Sequence, residues 1–146
     1  MQICGSTVLL TGASGGLGKA IARALHERGG ELILTGRRTS ALETLSLEVG
    51  GARTIAVDLS DRAAVDRLGA DTADADILVA NAGIPAAGRL ESFTAQELDR
   101  ALEVNLRAPV ALTHALLEGM LERRRGHLVF ISSIAGKTAV PGNPLY

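Results

Sequence analysis

Aromatic residues are nearly missing from this sequence, with no tryptophan, one tyrosine and two phenylalanines among 146 residues. Proteins that hold single-stranded nucleic acid stack its bases on aromatic side chains, and this chain has no such platform. An excess of charge is missing too. Fifteen basic residues stand against sixteen acidic ones, a net charge of −1, so no electrostatic footprint for nucleic acid or an anionic membrane appears. The single cysteine, Cys4, excludes an internal disulfide and fits a reducing compartment, so a cytoplasmic protein is expected. No apolar run approaches the length of a bilayer crossing. The opening MQICGSTVLLTG lacks the charged stretch and long apolar core of a signal peptide. His26, His114 and His127 stand apart from any Cys, Asp or Glu cluster with ligand spacing, so no metal site is implied.

What is present describes a single globular domain over residues 1–146, with 47% hydrophobic and 21% charged residues. Short runs rich in Val, Ile and Leu read as strands at Thr7–Leu10, Glu31–Thr35, Thr54–Val57, Asp76–Ala80 and His127–Ser132. Such runs alternate little, as in strands covered on both faces of a parallel sheet. Helical spacing lies between them. One helix is expected over Gly16–Arg28 with Ile21, Ala24 and Leu25 inward, stopped by Gly29-Gly30. A second begins near Ser40 with Leu42, Leu45 and Val49 inward, and a short third spans Asp61–Leu68. The longest is expected over Thr94–Arg124, opened by a capping box in TAQE and kinked by Pro109. Its second half is apolar on more than one face, so one face is expected on the sheet and another against a second subunit. The basic run ERRRG sits at its end, where arginine complements the helix dipole. Strand–helix alternation of this kind implies right-handed crossovers and a doubly wound α/β fold with a parallel sheet.

TGASGGLG (Thr11 to Gly18) follows the first strand and opens the first helix. Glycines at 12, 16 and 18 allow a tight turn, close approach to a pyrophosphate and close helix–strand packing, and helix-start amides attract phosphate. A flexible turn without ligand is the plainer alternative. Three companions fall on the same carboxyl edge of the sheet, where open α/β sheets bind ligands. Asp58-Leu59 follows the third strand, where a carboxylate can accept from an adenine amino group. ANAG (Ala80 to Gly83) leaves bare backbone after the fourth strand, and Ser132-Ser133 ends the fifth.

With TGxxxGxG, NAG, VNL and the serine–tyrosine separation in place, the chain resembles the short-chain dehydrogenase/reductase family over essentially its whole length. The resemblance implies a Rossmann fold with five strands present and the C-terminal part of the usual domain missing. It places cofactor contacts on Gly12, Ser14, Gly16, Leu17 and Gly18, on Asp58 and Leu59, on Asn81, Ala82 and Gly83, and on Tyr146. It implies reversible hydride transfer between nicotinamide and a carbonyl or alcohol carbon of a small molecule. Tyr146 is then the proton donor or acceptor, Ser133 polarises the carbonyl, and Asn105 holds a water or the helix backbone in a proton path. ANAG departs from the commoner NNAG at its first position only.

The second strand ends in LTGRR. A carboxylate at its tip holds the ribose 2′-hydroxyl of NAD and repels a 2′-phosphate. Here Gly36 is followed by Arg37 and Arg38, and guanidinium groups bind phosphate bidentately, so NADP(H) is favoured over NAD(H). Ser14 adds a hydroxyl; solvated side chains are the plainer reading of the two arginines, Arg38 above all.

A free tyrosine has a pKa of about 10, too high for base catalysis near neutrality. The family lowers it with a lysine four residues on, a position beyond Tyr146. A carboxylate at Tyr146 itself would raise it further. The expectation is therefore the N-terminal part of a longer reductase, inactive on its own, with an apolar fifth strand left at the sheet edge. The alternatives are a non-catalytic dinucleotide-binding or regulatory module, and a second chain that supplies the remainder. Homo-oligomers are expected of the full-length protein.

Overall fold

The computed structural model describes residues 2–85, 87–138 and 140–142. Five strands, β1 (Thr7–Leu10), β2 (Glu31–Gly36), β3 (Arg53–Ala56), β4 (Ile77–Ala80) and β5 (His127–Phe130), form one sheet in the order β3-β2-β1-β4-β5. Every neighbouring pair is parallel. The order reverses between β1 and β4, and a crevice opens there at the carboxyl ends of the strands.

Both faces of the sheet are covered, which is why its strands read as unbroken apolar runs. Val8, Leu10, Leu32, Leu34, Ile77 and Val79 pack on one side with Ala22 of α1 (Gly16–His26) and Leu42 and Leu45 of α2 (Thr39–Glu48). Leu9, Ile33 and Leu78 face the other side. They pack with Val65 and Leu68 of α3 (Arg62–Asp71) and with Leu112 and Leu116 of α5 (Ala108–Glu122). The inward set of α1 differs from the expected one: Gly18 and Ala22 are fully buried, while Ile21 and Leu25 are half-buried beside them. A glycine and an alanine let this helix lie close on the strands, a contact that a search for large apolar side chains overlooks.

The stretch expected as one kinked helix is three pieces. Thr94 caps α4 (Ala95–Leu102) in the expected box, its hydroxyl accepting from the Glu97 N–H while the Glu97 carboxylate accepts from the Thr94 N–H. A π-helical turn, Glu103–Arg107, then joins α4 to α5. Pro109 falls in the first turn of α5, directly after the π-helical turn, and the backbone at Leu102, Glu103, Arg107 and Ala108 is helical, so the three segments follow one another along a single helical path. Along α5 the residues 108, 112, 116 and 120 are buried on the sheet, and Val110, Leu117 and Leu121 are exposed.

The basic run does more than end a helix. Arg123 donates to the carbonyls of Ala73 and Ala75, and Arg125 donates to the Gly5 carbonyl and the Ser6 hydroxyl and pairs with Asp76 at 3.1 Å. Asp76 also accepts from the Thr7 N–H. These bonds clasp the amino ends of β1 and β4, opposite the crevice. Strand β5 ends at Phe130 rather than Ser132, and Phe130 and Ile131 are 52% and 41% exposed at the sheet edge. No helix among the described residues is long and apolar enough to cross a membrane.

Candidate functional site

The three glycines of the turn after β1 meet three different surroundings. Gly12 has φ +66°, and a Cβ there would lie 2.8 Å from the Ala82 Cα. A Cβ on Gly18 would lie 2.2 Å from the Gly12 carbonyl oxygen, so α1 seats on the turn only with glycine at that position. A Cβ on Gly16 would meet nothing within 4 Å. Two of the glycines are thus demanded by the protein's own packing, and Gly16 faces open space at a helix N-terminus, as close approach of a ligand requires.

The turn is held from β4. The Thr11 hydroxyl accepts from the N–H groups of Asn81 and Ala82, both at 3.0 Å, and the Asn81 side-chain amide donates to the carbonyls of Thr11 (3.0 Å) and Gly12 (3.3 Å). The Asn81 amide therefore orders the glycine turn, and what Asn81, Ala82 and Gly83 present to the crevice is chiefly backbone. Thr11, fully inside, is a positioning residue that glycine counting does not single out.

At the end of β2, a Cβ on Gly36 would lie 3.1 Å from the Ser14 hydroxyl oxygen, so the bare backbone there accommodates Ser14. Arg38 donates to the Ser14 carbonyl at 2.9 Å, which makes it a brace for the glycine turn rather than a freely solvated side chain. Arg37 is exposed at the same rim. After β3, Asp58 accepts from the Ser60 N–H (3.0 Å) and hydroxyl (2.8 Å) through one oxygen, and from Arg100 of α4 (3.1 Å) through the other. The Ser60 backbone bond leads these influences, followed by its hydroxyl and by the charges of Arg100 and Arg37. Together they outweigh burial and hold the Asp58 carboxyl below its usual range. Leu59 lines the crevice, but its side chain belongs to the core.

Asn105 occupies the π-helical turn. Its side-chain oxygen accepts from the Ile84 N–H and its amide donates to the Ile84 carbonyl, each at 2.9 Å. The side chain pairs like a strand neighbour with the loop after β4, giving one acceptor and one donor position to Ile84 and keeping a second N–H and a second lone pair. Ser133 caps the short 3-10 helix Ile134–Gly136, its hydroxyl oxygen accepting from the Ala135 N–H at 3.2 Å. That bond leaves the hydroxyl proton free to donate.

Most of these groups line one cleft of about 1080 Å³, at the upper end of ordinary small-molecule sites. Gly12, Ser14, Gly16, Leu17, Gly18, Arg37, Arg38, Asp58, Leu59, Asn81, Ala82, Gly83, Asn105 and Ser133 all contribute to it. Tyr146 lies outside the described residues. Arg100 and Ile84 also line the cleft and were not anticipated, because neither belongs to a glycine, carboxylate or serine pattern. The donor set suits a long anionic ligand, with open backbone at Gly16, cations at one end and a free hydroxyl donor at the other. Among the described residues no group of His, Cys, Asp and Glu side chains is placed to hold a metal ion.

Sequence and structure comparisons show what the chain is similar to. The family model for short chain dehydrogenase matches residues 6–146. Nodulation protein G of Rhizobium sp. (strain N33) is 42% identical over 150 residues, which cover 99% of this chain and 61% of that protein. The 3-oxoacyl-(acyl-carrier-protein) reductase FabG of Rickettsia prowazekii (strain Madrid E) is 35% identical over 147 residues, covering 100% of this chain and 61% of the relative. A metagenomic short-chain oxidoreductase solved in complex with NADP superposes with a TM-score of 0.91 at 36% identity, covering 100% of this chain and 70% of its own. The chain thus spans 61% of the length of both curated relatives.

Proposed function

This chain belongs to the short-chain dehydrogenase family, and from that premise we propose that it is the cofactor-binding part of an NADP(H)-dependent oxidoreductase acting on a small carbonyl or alcohol substrate. The observation that carries the reading is the single cleft in which the Gly16 opening, the arginines after β2 and the Ser133 hydroxyl meet. Gly16 and the start of α1 receive the pyrophosphate, Asp58 accepts from the adenine, and Arg37 takes the 2′-phosphate. Gly36 offers no carboxylate to oppose that phosphate. The NADP held by the metagenomic relative favours the same choice.

When bound, the nicotinamide supplies hydride chemistry. Ser133 would donate a hydrogen bond from its hydroxyl to the substrate oxygen, keeping its proton, and Tyr146 would exchange the one proton with that oxygen. The Asn105 clamp fixes the loop through Ile84, and with it the wall of the cleft. A polypeptide of these 146 residues alone binds dinucleotide without turnover, because the family's lysine follows four residues after the tyrosine.

The test is NADPH oxidation with a panel of ketones, in a protein whose chain continues through that lysine. Turnover is expected there, and Ser133→Ala is expected to lower kcat by roughly 10²–10³, as loss of an oxyanion donor does. NADPH binding without turnover on any carbonyl would favour the non-catalytic binding module instead. The exposed apolar residues Val110, Leu117 and Leu121 make α5 the surface we propose for homo-oligomers. A monomer by light scattering at micromolar concentration would refute that part.

A further inference from the structure

Asp58 is held from two directions. Ser60, two residues on, supplies a backbone and a hydroxyl donor to one oxygen, at 3.0 and 2.8 Å. Arg100 reaches the other oxygen at 3.1 Å from α4, 42 residues away in sequence. Arg100 and Asp58 both line the cleft, and their side chains are 43% and 42% exposed. An ion pair this exposed adds little to stability, so its main consequence is the orientation of the carboxylate. A carboxylate has about four acceptor sites. Three are taken here, two on one oxygen and one on the other, so a ligand donor finds a single site at a fixed angle.

We propose that Arg100 is a positioning residue for adenine recognition: it fixes Asp58 so that the one acceptor site left on the carboxylate meets the adenine amino group. The proposal rests on the dinucleotide reading above and goes beyond it, since it gives a residue of α4 a share in selecting the base. Arg100 does this through Asp58 and not by touching the ligand. Lysine is expected to restore the effect in part, because it keeps the charge but lacks the planar fork that sets the angle.

The experiment uses two dinucleotides, NADPH and its analogue with hypoxanthine in place of adenine, titrated by calorimetry into the wild-type chain, Arg100→Gln, Arg100→Lys, Asp58→Asn and the Arg100→Gln/Asp58→Asn pair. Hypoxanthine presents a carbonyl oxygen where adenine has its amino donor. Wild type is expected to prefer NADPH by about tenfold or more, the scale of one hydrogen bond to a charged acceptor. Arg100→Gln is expected to cut that preference at least threefold, about half the logarithm of the tenfold effect of that bond, with Arg100→Lys in between. In the Asp58→Asn background Arg100→Gln is expected to change nothing further, as a shared pathway requires. An unchanged preference in Arg100→Gln, or equal weakening of both dinucleotides, would overturn the proposal and leave the proposed function standing. Failure of the wild type to bind either dinucleotide would overturn both.

Discussion

Residue by residue, the glycine turn separates packing from binding. Gly18 is required by the protein itself, and Gly16 is open to the cleft. Gly18→Ala is expected to destabilise the fold by about 1–3 kcal/mol, as overpacking does, because the Gly12 carbonyl cannot move without disturbing β1. Gly16→Ala is expected to hold or raise stability by up to about 1 kcal/mol, alanine being the better helix former, yet to weaken dinucleotide binding. Urea titration with and without NADPH separates the two. The pattern was legible in the sequence, but which glycine served which purpose was not, since that depends on how close the Gly12 carbonyl lies to α1. Asp58 allows a pH prediction. Its carboxyl is held low in the folded protein, chiefly by the Ser60 N–H, so its stabilising contribution is present above about pH 4 and lost as pH falls through the lowered value. Asp58→Asn is expected to flatten that part of the acid limb in thermal melts; an identical limb would mean that the Ser60 and Arg100 bonds do not favour the ionised form.

At the level of elements, the π-helical turn decides the geometry of the substrate end. By widening the helix between α4 and α5 it presents Asn105 to Ile84 with both hydrogen bonds at 2.9 Å. Asn105→Ala would leave an N–H and a carbonyl of a half-buried loop unpaired, and a loss of about 1–3 kcal/mol is expected. Asn105→Asp is expected to restore only the bond from the Ile84 N–H, giving an intermediate melting temperature. Equal melting temperatures for all three proteins would mean that the loop is held by other contacts. The helical spacing and the capping box were readable from TAQE onward, and so was the position of Pro109. The outcome at the proline was not. A proline lacks its N–H wherever it stands, and here a π-helical turn stands directly before it while the helical path runs on. The arginines at 123 and 125 stand at the helix end, as expected, but their further partners were not readable: a basic run there has carbonyls and carboxylates of other loops within reach, and here the residues around Asp76 receive it.

For the whole molecule, strand order and the crevice follow from the alternation of apolar runs with helical segments, and this part of the fold could be read in advance. Both faces of the sheet are covered, so strands and helices carry different periods, and right-handed crossovers leave few topologies. The site was legible where chemistry is confined to strand ends, which placed Gly12, Asp58, Asn81 and Ser133 on one edge before any coordinates. Arg100 and Thr11 escaped because their roles come from contacts between distant segments, 42 and 70 residues apart. The central claim, that this cleft takes a 2′-phosphorylated dinucleotide, is tested most directly by titrating the 146-residue chain with NADPH and with NADH at fixed ionic strength, following the nicotinamide fluorescence. The account predicts saturable binding with NADPH tighter by about tenfold or more, the worth of a charge-assisted phosphate contact. NADH binding as tightly as NADPH would contradict it.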